Sequence, residues 1–245
     1  MVGSKDSGGE PNTVLNTIVA EAFCEACDYI EAAEDKDLAI HDLIERYFME
    51  HERIVFDGNG YSEEWVEEAK RRGLPNLVSM VDAIPALTTE KAVALFEKFG
   101  VFTRAELESR AEIQYETYAK VINIEAKSMI DIASKQLIPT VIKYTRTLAD
   151  TVIAVKECGI DASVQTDLLK ETTELLTEAK AALAKLIELD AKGASLPRGE
   201  KQAKFFHSEV VPAMEALRKP IDKLEMIVDK DMWPMPSYGD LIFEV

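Results

Sequence analysis

Apolar residues recur every three or four positions along most of this 245-residue chain, which is the period of an amphipathic α-helix. The longest run without glycine lies between Gly100 and Gly159, and we predict a single long helix from Thr103 to Gly159, bent at Pro139. Its apolar stripe repeats every eleven residues and comprises Leu107, Ala111, Tyr115, Tyr118, Ile122, Ala126, Met129, Ala133 and Leu137. Beyond the proline, the stripe is expected to continue through Ile142, Leu148, Val152, Ile153 and Val155.

Two further long helices are predicted after Gly159. The first begins at Asp161 or Ser163 and ends near Lys192, before a loop over residues 193–199. Its seam has a heptad period and contains Leu168, Thr172, Leu175, Ala179, Ala182, Leu186 and Leu189. The second runs from residue 200 to about residue 229, with bends expected at its prolines. Its inward positions are Ala203, Phe206, Val210, Ala213, Leu217, Ile221, Leu224 and Val228.

Shorter helices separated by turns are predicted before Gly100. Their expected ranges are residues 11–34, 38–55, 62–72, 76–84 and 90–99. The expected N-caps are Asp35 or Asp37, Ser62, and Thr88 or Thr89, and the expected terminators are Gly73 and Gly100. Residues 56–61 form a turn in which two glycines flank an asparagine, so positive φ angles are expected there.

These elements together predict an all-α fold: an antiparallel bundle of three long helices with an N-terminal set of shorter helices. The predicted organisation has three parts, residues 1–34, residues 35–102 and residues 103–245. The first is a polar lead-in followed by one helix, the second is the short-helix region, and the third is the long-helix bundle with an extended tail.

The tail from Trp233 to Val245 contains two prolines and several large apolar residues. A continuous helix cannot cross these prolines, so the tail is predicted to lie extended against the bundle or a partner. We expect Trp233, Tyr238 and Phe243 to be buried there.

Composition excludes several classes of function. The formal charge is −17, from 28 Lys and Arg against 45 Asp and Glu, so a nucleic-acid phosphate backbone would be repelled. No apolar run reaches the ~18–20 residues of a membrane span, and the N-terminus has no apolar signal core. Three cysteines do not form a disulfide framework in a chain of this size. We therefore expect a cytoplasmic protein that binds neither nucleic acid nor membrane.

The cysteines offer weak evidence for chemistry. Cys24 and Cys27 form a C-x-x-C pair, but no second pair exists to complete a zinc site. A redox pair needs its first cysteine at a helix N-terminus, and here both cysteines lie within a predicted helix. We expect both to be small buried thiols, and Cys158 to be inert for the same reason.

The three histidines, His41, His51 and His207, lack a glutamate three residues earlier, so the ligand spacing of di-iron bundles is absent. His51 could join Glu50 or Glu52 at a metal, although a surface or capping position is favoured. His207 could in principle accept a phosphoryl group, although a solvated position is favoured.

The turn at Gly58 and Gly60 is not a phosphate loop, because it has neither a preceding strand nor a following Lys-Ser or Lys-Thr pair. The acidic pairs over residues 63–68 indicate a solvated helix face, and the arginines at 71–72 suit its C-terminal end. No residue is therefore assigned a catalytic, cofactor-binding or metal-ligating role.

Several sequence runs resemble the C-terminal region of type III glutamine synthetases. The longest are HERIVFDGNGYSEEW at residues 51–65 and EAKRRGLPNL at residues 68–77. Further matches are SRAEI at 109–113, YAKVINIEA at 118–126, WPMPSY at 233–238, and the opening residues 1–4 and 11–17. The resemblance covers essentially the whole chain, and Asp57 stands where the family is expected to have asparagine.

Enzymes of that family join ammonia to glutamate through a γ-glutamyl phosphate, using ATP and a divalent metal, Mg²⁺ or Mn²⁺. Their active sites lie between subunits of hexameric rings. The resemblance implies that residues 1–34 contain the last helix of the catalytic domain. It also implies that the cofactor-binding motifs precede Met1, so the chain resembles a C-terminal fragment that is inactive alone.

The same resemblance implies the partners: the rest of the synthetase subunit and neighbouring subunits of a homo-oligomeric parent enzyme. Two alternatives stay open. The heptad seam and apolar tail also suit a free-standing helical scaffold that binds other proteins. A small bundle enzyme or metal carrier is the third possibility, and the histidine spacing argues against it.

Overall fold

The computed structural model describes residues 8–243. Within this range the chain is helical and contains no β-strand, which confirms the predicted all-α fold. The chain divides into two compact units that meet in sequence between Ala111 and Glu112. No helix within residues 8–243 is both long enough and apolar enough to cross a membrane.

The first unit consists of short helices and turns. Its helices are α1 (Gly9–Glu31), α2 (Lys36–His51), α3 (Glu63–Arg71), α4 (Met80–Ala83), α5 (Glu90–Lys98) and the start of α6 (Arg104–Ile132). Two 3-10 turns, Glu52–Ile54 and Ile84–Thr88, follow α2 and α4.

Capping residues set the ends of these helices, as predicted. The backbone N–H of Leu38 donates to the Asp35 carboxylate at 3.1 Å, and that of Trp65 donates to the Ser62 hydroxyl at 3.3 Å. Gly73 adopts a positive φ of 69° just after α3, a conformation that glycine reaches without a steric penalty. These helix boundaries therefore follow from local sequence.

The helix predicted over residues 76–84 is shorter than expected. Ser79 caps it by accepting a hydrogen bond from the backbone N–H of Asp82 at 3.1 Å, so α4 starts only at Met80. A 3-10 turn containing Pro85 then replaces its expected last turn.

A small core closes the first unit. Val93 and Phe96 of α5 pack with Leu107 of α6, and all three are almost fully buried. Val14, Ala92, Val101 and Phe102 pack around them. An ion pair of 2.6 Å joins Glu21 of α1 to Lys98 of α5. The core thus links α1, α5 and the beginning of α6.

The second unit is the predicted bundle. After α6 it contains α7 (Ile138–Glu157), α8 (Ser163–Ser195), α9 (Glu200–Phe205), α10 (Val211–Ile227) and α11 (Tyr238–Phe243). Two π-helical segments, Ala133–Leu137 and Phe206–Val210, join α6 to α7 and α9 to α10. The three long helices are therefore α6–α7, α8 and α9–α10, of which α8 packs extensively against α7 and α10.

Two polar contacts fix the direction of these helices. Asn123 Nδ2 donates to Asp190 Oδ1 at 2.8 Å, so α8 returns along α6–α7 after the loop at residues 158–162. The Tyr118 hydroxyl lies 3.1 Å from His207 Nδ1, so α9–α10 runs back along α8. Neighbouring helices in chain order are thus antiparallel, as predicted.

Two of the three prolines within the long helices follow a π-helical turn, whereas Pro220 lies inside α10. The N–H of Ile138 bonds to the carbonyl of Ala133, five residues earlier, just before Pro139. The N–H of Val211 bonds in the same way to the carbonyl of Phe206, just before Pro212. A widened turn gives the proline ring room without ending the helix.

The first π turn also corrects the predicted stripe. A π turn contains an extra residue, so the phase of the following helix changes. Val141 is consequently buried, whereas Ile142 is 53% exposed. Ile153, which was also predicted to face inward, is exposed.

The end of α8 was predicted wrongly, because Gly193 lies inside the helix and does not end it. A Cβ atom at Gly193 would lie only 3.0 Å from the Phe206 ring and 3.2 Å from the Phe205 ring. Glycine therefore permits the close approach of α8 and α9. The seam also passes through Leu183, which is fully buried, while the predicted Ala182 is only half-buried.

A turn in the first unit is held against α3 by aromatic and polar contacts. The Phe56 ring stacks on Trp65 with centroids 4.2 Å apart. The Arg72 guanidinium donates to the carbonyl of Val55 at 2.7 Å. A Cβ at Gly58 would lie 2.7 Å from the Phe56 ring, so a side chain there would displace the ring. The positive φ angles predicted for Gly58 and Gly60 are absent.

The tail was predicted to be extended and buried, and only part of this is correct. Residues 233–237 are non-helical, but α11 follows them. Trp233 is half-buried, whereas Tyr238 is 84% exposed, so its predicted burial is wrong. The side chain of Phe243 lies outside the described part of the structure.

A capping box fixes the start of α11. The Ser237 backbone N–H and hydroxyl each donate to Asp240 Oδ2 at 2.7 Å, and Lys230 Nζ lies 3.1 Å from the other carboxylate oxygen. These hydrogen bonds, first those from Ser237, lower the pKa of Asp240 from 3.8 to about 2.

We predict that Gly58→Ala displaces the Phe56 ring and lowers the free energy of unfolding by about 1–3 kcal/mol, as overpacking does. The measurement is urea denaturation, together with the NMR shift of the Trp65 indole N–H. Gly60→Ala is the matched control, because a Cβ there meets no atom within 4 Å. Equal stability of the two variants would show that the turn is not packed as described.

We predict that Gly193→Ala also lowers the free energy of unfolding, by about 1–3 kcal/mol. Alanine favours a helix over glycine by up to about 1 kcal/mol, so a stabilised variant would contradict the close packing. Phe206→Leu in the Gly193→Ala background should recover part of the loss, because the smaller side chain leaves room for the methyl group. Denaturation of both single variants and the double variant measures this coupling.

We predict that the Asp240 carboxyl titrates with a midpoint near pH 2. Because folding lowers this pKa, the contribution of the carboxylate to the stability of α11 is present above pH 3.8 and is lost as pH falls towards 2. NMR of the carboxyl carbon measures the midpoint. Ser237→Ala should raise it towards 3.8, whereas Ser208→Ala should leave it unchanged.

Candidate interaction surface

Large apolar side chains are exposed more densely in the first unit than in the second. Sixteen of them lie within residues 8–111, and thirteen lie within the longer range 112–243. Exposed apolar residues are ordinary when they are scattered, but their concentration in one region makes it a candidate interaction surface.

Helix α1 exposes an apolar stripe to solvent. Thr17 is its only buried residue, and its hydroxyl donates to the carbonyl of Thr13 at 2.7 Å. Leu15, Val19 and Phe23 follow one another at intervals of four residues, and Phe23 is 68% exposed. The stripe is thus helical in period but has few packing neighbours among the described residues.

Helix α2 and the 3-10 turn after it form an apolar groove of about 350 Å³. We call it the α2 groove; its lining residues are Ile44, Tyr47, Phe48, His51, Ile54 and Val55. Phe48 is 63% exposed. The hydroxyl of Tyr47 is buried and has no hydrogen-bond partner within residues 8–243.

A second, larger groove of about 700 Å³ lies between α1 and α5. This α1–α5 groove is lined by Ile18 and Ala22 on one side and by Leu95 on the other. Its rim includes the ion pair of Glu21 with Lys98. His51 lines both grooves, so they form one continuous surface.

The acidic and basic residues of α3 form a local cluster beside this surface. Glu68 accepts hydrogen bonds from Arg71 at 2.6 Å and from Arg72 at 2.5 Å. Hydrogen bonds from both arginines lower the pKa of Glu68 to about 2. Part of the helix face that was predicted to be solvated is therefore held by hydrogen bonds between its own side chains. Arg72 also holds the turn that contains Phe56, through the carbonyl of Val55.

The structure corrects the prediction for the cysteines. All three are free, and Cys27 and Cys158 are exposed, whereas Cys24 is half-buried. Cys27 is exposed because α1 buries so little of its surface, and Cys158 is exposed because it is the C-cap residue of α7.

The histidines also differ from one another. His51 is exposed, as predicted, and its ring centroid lies 5.9 Å from that of Tyr47. His207 is half-buried against Tyr118, so its predicted solvated position is wrong. Within residues 8–243, no group of three His, Cys, Asp or Glu side chains is arranged to hold a metal ion.

Comparisons with known proteins agree with the resemblance in the sequence. Residues 39–156 match the family model described as the glutamine synthetase C-terminal domain. This range extends from α2 to the last turn of α7 and therefore includes the α2 groove and the turn held by Trp65.

Curated relatives extend the match over most of the chain. The type-3 glutamine synthetase of Dictyostelium discoideum is 33% identical over 251 aligned residues, covering 99% of this chain and 34% of the relative. The glutamine synthetase of Butyrivibrio fibrisolvens is 32% identical, covering 84% of this chain and 30% of the relative. The glutamine synthetase of Bacteroides fragilis (strain YCH46) is 30% identical, covering 87% of this chain and 30% of the relative.

The chain thus spans about a third of the length of the curated relatives that it matches. The matched family domain, the coverage of most of the chain and the all-α fold agree with one another. This chain belongs to the glutamine synthetase family and corresponds to its C-terminal region.

Proposed function

We propose that the chain is the helical assembly region of an ATP-dependent glutamate–ammonia ligase and that it contains no catalytic residue. The match of residues 39–156 to the glutamine synthetase C-terminal domain carries this proposal. ATP and the divalent metal, Mg²⁺ or Mn²⁺, would bind to other parts of the parent enzyme of nitrogen metabolism.

The continuous surface formed by the α2 groove and the α1–α5 groove would pack against the rest of the synthetase subunit. Its centre is apolar, and its rim carries the Glu21–Lys98 ion pair. An apolar centre with a charged rim is the usual anatomy of a protein–protein interface. A groove of this kind suits an amphipathic helix or another apolar segment of the partner.

The parent enzyme would be a homo-oligomer in which neighbouring subunits also contact this region. A cytoplasmic location fits the three free cysteines, because a reducing compartment keeps thiols unpaired. A free-standing scaffold is the alternative, and it would use the same surface for unrelated partners.

The test is capture of the catalytic portion of the Dictyostelium discoideum type-3 enzyme, from which the third that matches this chain has been removed. We predict that this chain binds that portion. Ile18→Gln and Phe48→Gln, one in each groove, should each weaken binding about tenfold, which corresponds to roughly 1.4 kcal/mol. Glutamine is a good helix former, so neither helix should be lost.

Ile142→Gln is the matched control, because Ile142 is also an exposed isoleucine on a helix but lies in the second unit. It should leave binding unchanged. Failure of the folded chain to bind would contradict the proposal and favour the scaffold. Glutamate- and ammonia-dependent ATP turnover by this chain alone would also contradict it.

A further inference from the structure

A crevice of about 190 Å³ lies within the second unit, between α6 and the turn that joins α8 to α9. Its floor is formed by Ala119 and Phe206, which are 2% and 1% exposed. Both belong to tightly packed helices, so the crevice exists before any ligand binds.

Two amide side chains line this crevice in orientations that the surrounding groups determine. Asn123 Nδ2 donates to the buried carboxylate of Asp190 at 2.8 Å. Gln202 Nε2 donates to the carbonyls of Gly193 at 3.0 Å and Leu196 at 3.4 Å. Carbonyl oxygens can only accept hydrogen bonds, so Gln202 must direct its NH₂ group towards them, and Asn123 directs its own NH₂ group towards the Asp190 carboxyl oxygen.

The amide oxygens of Asn123 and Gln202 are therefore the atoms left to accept hydrogen bonds from a ligand. Glu116, which also lines the crevice, adds a carboxylate. Its pKa is lowered first by the hydrogen bond and charge of Lys120 and also by the charge of Arg198, so it is ionised at neutral pH. These three acceptors suit a ligand that carries an ammonium group.

Two cations complete the lining. Lys120 Nζ lies 2.9 Å from Glu116, and 63% of its side chain remains exposed. Arg198 forms no hydrogen bond or ion pair shorter than 4 Å among residues 8–243, although its charge acts on Glu116. Its planar guanidinium is the side chain best suited to hold a carboxylate through two parallel hydrogen bonds.

We propose that this crevice binds a free α-amino acid. The ligand's ammonium group donates to Glu116 and to the amide oxygens of Asn123 and Gln202, and its carboxylate accepts from Arg198 and Lys120. A simple anion would leave the acceptors unused, and a simple amine would leave the cations unused. This inference does not rest on the proposed function, because all its residues lie in the second unit and the whole chain is tested alone.

The experiment is calorimetric titration of the chain with each standard L-amino acid at millimolar concentration. At least one should bind saturably. Propionate and ethylamine, which are L-alanine without its ammonium and without its carboxylate, should bind at least about tenfold more weakly than the best amino acid. The proposal is overturned if no amino acid binds, or if either analogue binds equally well.

Arg198→Gln and Glu116→Gln should each weaken binding of that amino acid about tenfold or more. Arg146→Gln is the matched control, because Arg146 is an exposed arginine of the same unit and does not line the crevice. It should bind normally. Circular dichroism of each variant confirms folding, and an equal loss in Arg146→Gln would show that binding is not at the crevice.

Discussion

The close contact of Gly193 with Phe206 is the constraint on which the second unit depends. A Cβ atom at residue 193 would lie only 3.0 Å from the ring of Phe206, so the absence of a side chain there lets this fully buried ring pack against α8. The carbonyl of the same glycine accepts from Gln202, so one residue fixes both the packing and the polar ending of α8. The same residues shape the crevice beside this contact, because Phe206 forms its floor and Gln202 forms part of its wall.

Local signals predicted most of the fold. The ends of α2, α3 and α5 follow from Asp35, Ser62 and Thr89, because a cap acts on N–H groups only two or three residues away. The sequence could not predict that Gly193 lies inside α8. Glycine ends helices by adopting a positive φ, but it also occurs where another element must come close, and only the tertiary structure separates the two roles. The apolar period likewise does not reveal the π turn before Pro139. Because of this turn, Val141 lies in the core and Ile142 is exposed.

The crevice could not be predicted from the sequence, because its residues are distant along the chain. Asn123 and Asp190 are 67 positions apart, and neither belongs to a recognisable motif. The apolar residues of α1 recur with a helical period, but this period does not reveal whether the surface that covers them lies in the same chain. Thr17, which is polar, is the one residue that α1 buries, so the stripe and the buried face are different faces.

The two units therefore differ in how much of their apolar surface they bury within themselves. The second unit buries a long aliphatic seam of its own, which includes Leu175, Leu183 and Leu186, and the carbonyl of Gly193 near the C-terminal end of α8 is bonded within the unit. The first unit has a small core around Val93 and leaves Phe23 and Phe48 largely exposed. A unit with a small core gains additional stability from any partner that covers its apolar surface, since binding that requires the folded state shifts the folding equilibrium. Binding to the first unit and its folding should accordingly be coupled.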